Sequence, residues 1–107
     1  MAERLNAADE GRVAKAGMRD KLRREEELRD LLAVLSDPWG RRFIWRWLGE
    51  AGIYRTSLDH SGSTVYANEG RREFGLKLLA EIMEASPEHY LLMQKEAFDK
   101  DKKTEPV

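Results

Sequence analysis

Gly70-Arg71-Arg72-Glu73-Phe74-Gly75-Leu76-Lys77-Leu78-Leu79-Ala80-Glu81-Ile82-Met83-Glu84 is the stretch whose reading decides the fold. Phe74, Leu78, Leu79, Ile82 and Met83 recur at helical spacing, while Glu73, Lys77, Glu81 and Glu84 line the other side. That pattern predicts an amphipathic helix over roughly 65–85. Glu73 and Lys77 add a favourable i, i+4 pair. Gly75 falls within the apolar stripe, where glycine costs about 1 kcal/mol of helix propensity relative to alanine. Close approach of a bulky neighbour would offset that cost, and Trp45 or Trp47 fits the notch.

Working outward, Ser36-Asp37-Pro38 supplies an N-cap candidate followed by proline at the first helical position, where the missing N–H costs nothing. A second helix is expected over 38–51, with Trp39, Phe43, Trp47 and Ala51 sharing one side, Ile44 and Leu48 beside them, and Gly52 ending it in a left-handed cap. Upstream, Leu28, Leu31, Leu32 and Leu35 fall at i, i+3, i+4 and i+7, which gives a first helix over roughly 20–35. The charged run Arg12 to Arg29 can extend this helix as a solvated arm, because Glu25, Glu26 and Glu27 lie within a turn of Arg23, Arg24 and Arg29. Downstream, Ser86-Pro87-Glu88 restarts a fourth helix by the same cap-plus-proline chemistry, with Tyr90, Leu91, Met93, Ala97 and Phe98 as its apolar positions. Residues 53–64 read as a loop longer than helix packing needs, a length suited to carrying a contact.

The sequence therefore predicts an all-α, four-helix single domain over 21–98, flanked by a charged N-terminal arm (1–20) and a charged C-terminal tail (99–107). No alternating strand pattern is present. The two strongest stripes are expected to bury Trp47, Leu48, Phe74, Leu78 and Ile82 together. Arm and tail hold few side chains worth burying, so they are expected to be disordered in the isolated protein and to order on a partner.

The composition narrows the function. With 107 residues there is enough chain for one modest core. Lys and Arg number 19 against 20 Asp and Glu, a net charge of −1 that lacks the overall basicity of a free-standing nucleic-acid binder. Cysteine is absent, which removes disulfides and thiolate metal sites and suits a reducing cytosol. No apolar run approaches the roughly 18 residues of a membrane span.

The two triplets Gly40-Arg41-Arg42 and Gly70-Arg71-Arg72 each open an apolar run, the first continuing as Phe43-Ile44-Trp45-Arg46-Trp47-Leu48 and the second preceded by Asn68-Glu69. The order of these motifs, with the Pro-led helix after them, resembles a family of small tailed-phage structural proteins typified by a Bordetella podovirus virion protein. The resemblance implies a virion component assembled in the host cytoplasm. It also implies a place in the head–tail region, bound in several copies to portal or adaptor proteins around a ring, or carried inside the head and released with the DNA. The other reading is a small helical DNA-binding or regulatory phage protein.

Arg41, Arg42, Trp45, Asn68, Glu69, Arg71 and Arg72 are the candidate structural or interface residues. Helical projection places Arg71 and Arg72 near the apolar stripe, where an unpaired charge is costly. They are expected to pair with Glu69, Asp59 or a carboxylate of the first helix, the alternative being a neighbouring subunit or a phosphate. Trp45 sits at the edge of its helix's apolar arc, which makes it the first candidate for an exposed aromatic anchor. His60 and His89 are isolated, and His89 reads as an ordinary first-turn residue. Ser57 or Ser61 with His60 and Asp59 is the one conceivable catalytic grouping, but adjacent residues do not by themselves give relay geometry. No catalytic role, cofactor or metal is expected. The Arg12–Arg29 stretch interleaves acids with its bases, so direct DNA contact is not expected either.

Overall fold

Two prolines and one glycine divide the chain. In the computed structural model, which describes residues 7–54 and 62–104, helix α1 spans Ala7–Leu35, α2 Pro38–Ala51, α3 Gly62–Ala85 and α4 Pro87–Thr104. Ser36 closes α1, its hydroxyl and amide both donating to the carbonyl of Leu32 (2.7 and 3.0 Å). Asp37, extended at φ −106° and ψ 140°, is the N-cap residue of α2, with Pro38 in the first turn. Its carbonyl starts the helical ladder by accepting from Arg41 N–H, while its carboxylate makes no cap bond. Gly52 ends α2 in the left-handed conformation (φ 75°), a geometry that glycine adopts without penalty. Ser86 alone separates α3 from α4, its amide donating to Ile82. Residues 55–61, and with them Ser57, Asp59, His60 and Ser61 of the loop expected over 53–64, lie outside the described residues, and α3 already begins at Gly62.

Helix α1 begins at Ala7, ahead of both extents expected for it, the shorter from about residue 20 and the longer from Arg12. Along its first half Val13, Met18 and Leu22 are all more than half exposed, and Leu35 is the one fully buried residue of the helix. The arm is thus held by its own backbone bonds and by local pairs such as Arg12 with Asp9. Helix α4 likewise runs on past Phe98 to Thr104. The radius of gyration is 20.2 Å, against about 13 Å for a compact chain of this length. With a thickness of 15 Å, there is room for two helix layers at axial separations of about 8–10 Å and no third.

Leu35, Leu48, Ile53, Ile82 and Met93 form the core, with Leu31, Ile44, Trp45, Ala51, Leu78, Leu79 and Tyr90 packed around it. Leu48, Ile82 and the half-buried Leu78 stand where the stripes put them. Trp47 and Phe74 do not: they are 49% and 72% exposed. The reason is a rotation of both helices about their axes, set by two glycines. A Cβ built on Gly40 would lie 1.9 Å from the backbone oxygen of Val34, so α2 rests against the end of α1 through bare backbone. That contact turns the Gly40, Arg41, Ile44, Leu48 and Ala51 side of α2 inward and the Trp39, Phe43 and Trp47 side outward. On α3, a Cβ on Gly75 would meet Ala51 Cβ at 2.5 Å and Ile53 Cγ2 at 2.6 Å. The notch at Gly75 is therefore filled by the end of α2 and the residue just beyond it, not by Trp45 or Trp47. The buried line on α3 then runs through Gly75 and Ile82, seven residues apart, and leaves Phe74 to one flank.

Candidate protein-interaction surface

Arg41, in the first triplet, is 8% exposed. Its Nε donates to Glu96 of α4 at 2.5 Å, and Nη1 donates to the carbonyl of Leu35 at 2.8 Å. One guanidinium thereby satisfies an orphan carbonyl at the end of α1 and ties α2 to α4 by a charge-assisted bond. Arg42 projects outward. Trp45 is half-buried among the residues packed on the core, with Tyr54 and Tyr90 at ring distances of 5.9 and 6.4 Å. The expectation of Trp45 as an exposed anchor is therefore replaced: its half-buried indole packs between the core and the rings of Tyr90 and the more exposed Tyr54. The Tyr54 and Tyr90 hydroxyls meet at 2.6 Å. Partial desolvation of the Tyr54 hydroxyl, and then its bond to Tyr90, hold this phenol above its ordinary value.

Exposed aromatics are spread over α2, α3 and α4, with Tyr66, Phe74 and Phe98 more exposed than any on α2, but Trp39, Phe43 and Trp47, which are 60%, 51% and 49% exposed, follow one another at i, i+4 and i+8 on the outer face of α2. Phe43 and Trp47 meet edge to face at 6.3 Å. The Arg46 guanidinium lies over both rings, 5.4 Å from each centroid. Such stacking satisfies the face of the cation and leaves its N–H edge pointing to solvent.

The second triplet is differently placed. Arg71 is exposed and donates to the amide oxygen of Asn68 at 2.7 Å, not to a carboxylate. Arg72 is half-buried with its Nε out of contact with solvent and without a hydrogen-bond partner. Glu69 is half-buried beside them. Asp59, one of the partners expected for these arginines, falls outside the described residues. A different arginine links α1 to α3: Arg24 donates to Glu81 and Glu84, at 2.7 Å each, and to Glu27 at 3.2 Å. Bonds to Glu84 and then Glu81 hold this guanidinium's pKa above its ordinary value, so it stays charged at any working pH. The i, i+3 spacing of Glu81 and Glu84 is the signal in the sequence that could have pointed to a cation held between them.

Ser86, 7% exposed, caps α4 and sits 2.6 Å from His89 Nδ1 and 3.1 Å from a Glu88 carboxylate oxygen. Glu88 is held below the usual carboxylate range, first by its own backbone N–H and then by the Ser86 hydroxyl. Acid and imidazole both converge on the serine, whereas a relay needs the acid on the far side of the imidazole. The group is a helix cap. Among the described residues no cluster of His, Cys, Asp and Glu could hold a metal ion, and no helix is long and apolar enough to cross a membrane.

The helices are thus joined by the buried Arg41 and by close glycine contacts, and α2 presents an aromatic face outward. Residues 31–95 match the model of the Bbp19-like phage protein family, and the chain belongs to that family. The matched span begins at Leu31, so it takes in the end of α1, both triplets, all of α2 and α3, and the first half of α4. No curated protein and no solved structure matches the chain.

Proposed function

We propose that this protein is a structural component of the phage particle, acting in several copies through protein contacts in the head–tail region and without a catalytic role. The observation that carries this reading is the aromatic face of α2. Trp39, Phe43 and Trp47 remain about half exposed while, among the described residues, the interior holds five buried hydrophobic side chains. A chain that spends its largest side chains on its surface invites burial by a neighbour, and Trp and Arg are the residues most enriched at binding hot spots. Membership of a phage family supports a particle-bound role, and a portal or connector ring is the assembly in which a small protein is held in copies. Binding to duplex DNA is disfavoured by the net charge of −1 and by the carboxylate partners of Arg12, Arg24 and Arg41.

Mass spectrometry of purified particles before and after genome release tests the reading. The protein is expected in intact particles, and its loss on release would mark it as delivered with the DNA. Its absence from particles, together with retardation of duplex DNA at moderate salt, would replace this reading with a regulatory one. The arm is expected to gain protection on the partner. Strong hydrogen-exchange protection of residues 7–20 in the free monomer would show that it needs none.

A further inference from the structure

We infer that the outer face of α2 docks onto the exposed face of α3 in a second copy of this chain. The inference rests on the reading above only in taking protein contacts as the mode of action. The two faces match in shape. Trp39, Phe43 and Trp47 span eight residues, a ridge of about 12 Å along the helix. On α3, Leu76, Ala80 and Met83 fall at i, i+4 and i+7 and are all exposed, with Leu76 at 37% and Met83 at 45%. Ala80 is the small residue between two larger ones, so it leaves a hollow in which an aromatic ring seats as a knob.

The faces also match in charge. The outer side of α2 carries Arg42 and Arg46, since Arg41 is turned inward and neutralised by Glu96. The α3 stripe begins one turn earlier at Glu73, which is exposed and shows no ion pair among the described residues. Arg46 is already stacked over Phe43 and Trp47, so its outward N–H edge is preset to meet a carboxylate beside the ring it covers. No other occupant has its complement within the chain. A lipid surface or a single-stranded nucleic acid would use the same arginines and aromatics but would leave the α3 stripe uncovered.

Because the two faces differ, the contact is heterologous: each copy offers α2 to one neighbour and α3 to the other, so repetition gives a closed ring or a filament. Three half-exposed aromatic side chains offer about 300 Å² of apolar surface, well short of the roughly 800 Å² per partner of a stable pairwise interface. A single junction is therefore weak, and association becomes firm when a ring closes or when a scaffold holds the copies side by side.

The test uses the full chain and its charge-reversed variants. Sedimentation velocity from about 1 µM to about 500 µM should show concentration-dependent association. Arg46→Glu and Glu73→Arg should each weaken it by about tenfold or more, with circular dichroism checking that both variants keep their helices. A one-to-one mixture of the two variants should then associate again. The unaltered α3 face of the first and the unaltered α2 face of the second make a native junction, and the two charge-reversed faces are again opposite in sign, so both junctions of an alternating assembly are restored. Wild-type protein that stays monomeric throughout, association indifferent to both substitutions, or variants that fail to complement each other would each overturn the inference. So would the absence of self-association accompanied by Arg46-dependent binding to a single-stranded oligonucleotide or to anionic vesicles. A protein present in particles yet monomeric in solution and unaffected there by Arg46→Glu would sink this interface while leaving the particle role intact.

Discussion

At Gly40-Arg41-Arg42 the chain passes so close to the end of α1 that there is no space for a methyl group, whereas at Gly70-Arg71-Arg72 the same tripeptide has nothing within 4 Å of where that methyl would be. Arg41 is buried between Leu35 and Glu96; Arg71 is exposed and holds a side chain of its own helix. Identical residues thus carry different weight, because a glycine matters by what approaches it and an arginine by how much water it gives up. The first triplet is a junction of three helices. The second is a stretch of helix surface.

Substitutions can break or sharpen this contrast. Gly40→Ala should have the largest effect, a loss of more than about 3 kcal/mol, because the atom it strikes is backbone and no rotamer change relieves it. Chemical denaturation would show this, and an unchanged midpoint would mean that α1 and α2 are not in backbone contact. Arg41→Ala should cost about 2–3 kcal/mol, since it strands the Leu35 carbonyl and the Glu96 carboxylate. A double-mutant cycle with Glu96→Gln should recover part of that loss as coupling. Glu96 is a third exposed and can take up water when unpaired, which keeps the figure below that of a fully buried pair.

Gly70→Ala should act in the opposite direction, stabilising α3 by up to about 1 kcal/mol through helix propensity alone. A thermal midpoint that falls would show that something unseen in the isolated chain approaches Gly70. Arg71→Ala should change stability by less than about 0.5 kcal/mol, as exposed helix positions do. If instead it lowered incorporation into particles while the melting curve stayed in place, the second triplet would be marked as contact surface.

Much of the fold was legible because proline and glycine act locally. Pro38, Gly52 and Pro87 mark their helix ends in the sequence as they do in the structure. The all-α class followed from periodicity, and Leu48 and Ile82 from their stripes. The rotation of each helix about its axis was not legible, since it depends on which backbone can approach which. Gly75 stands out in the sequence because it interrupts the interior of a helix, whereas Gly40 lies in a first turn where glycine is less costly, and only the structure shows that Val34 is its neighbour. The wrong choice of Trp47 and Phe74 for the core follows from that rotation. The Arg41–Glu96 and Arg24–Glu81 pairs were invisible for a related reason, as they join residues 55 and 57 positions apart and the chain offers many other charges. Among the candidate site residues, the buried role of Arg41 and the inner placement of Trp45 emerged only from packing.

The shallow depth of the molecule has a consequence for how its sequence can change. With a thickness of 15 Å and five buried hydrophobic side chains among the described residues, few of these positions are constrained from within. A scan of folding stability across every substitution should be nearly silent over α1 before Arg24. Intolerance should be concentrated at Leu35, Gly40, Arg41, Leu48, Ile82 and Met93. The rest of the surface is open to drift at little cost in folding, so a protein of this build can be refitted to altered neighbours by single steps.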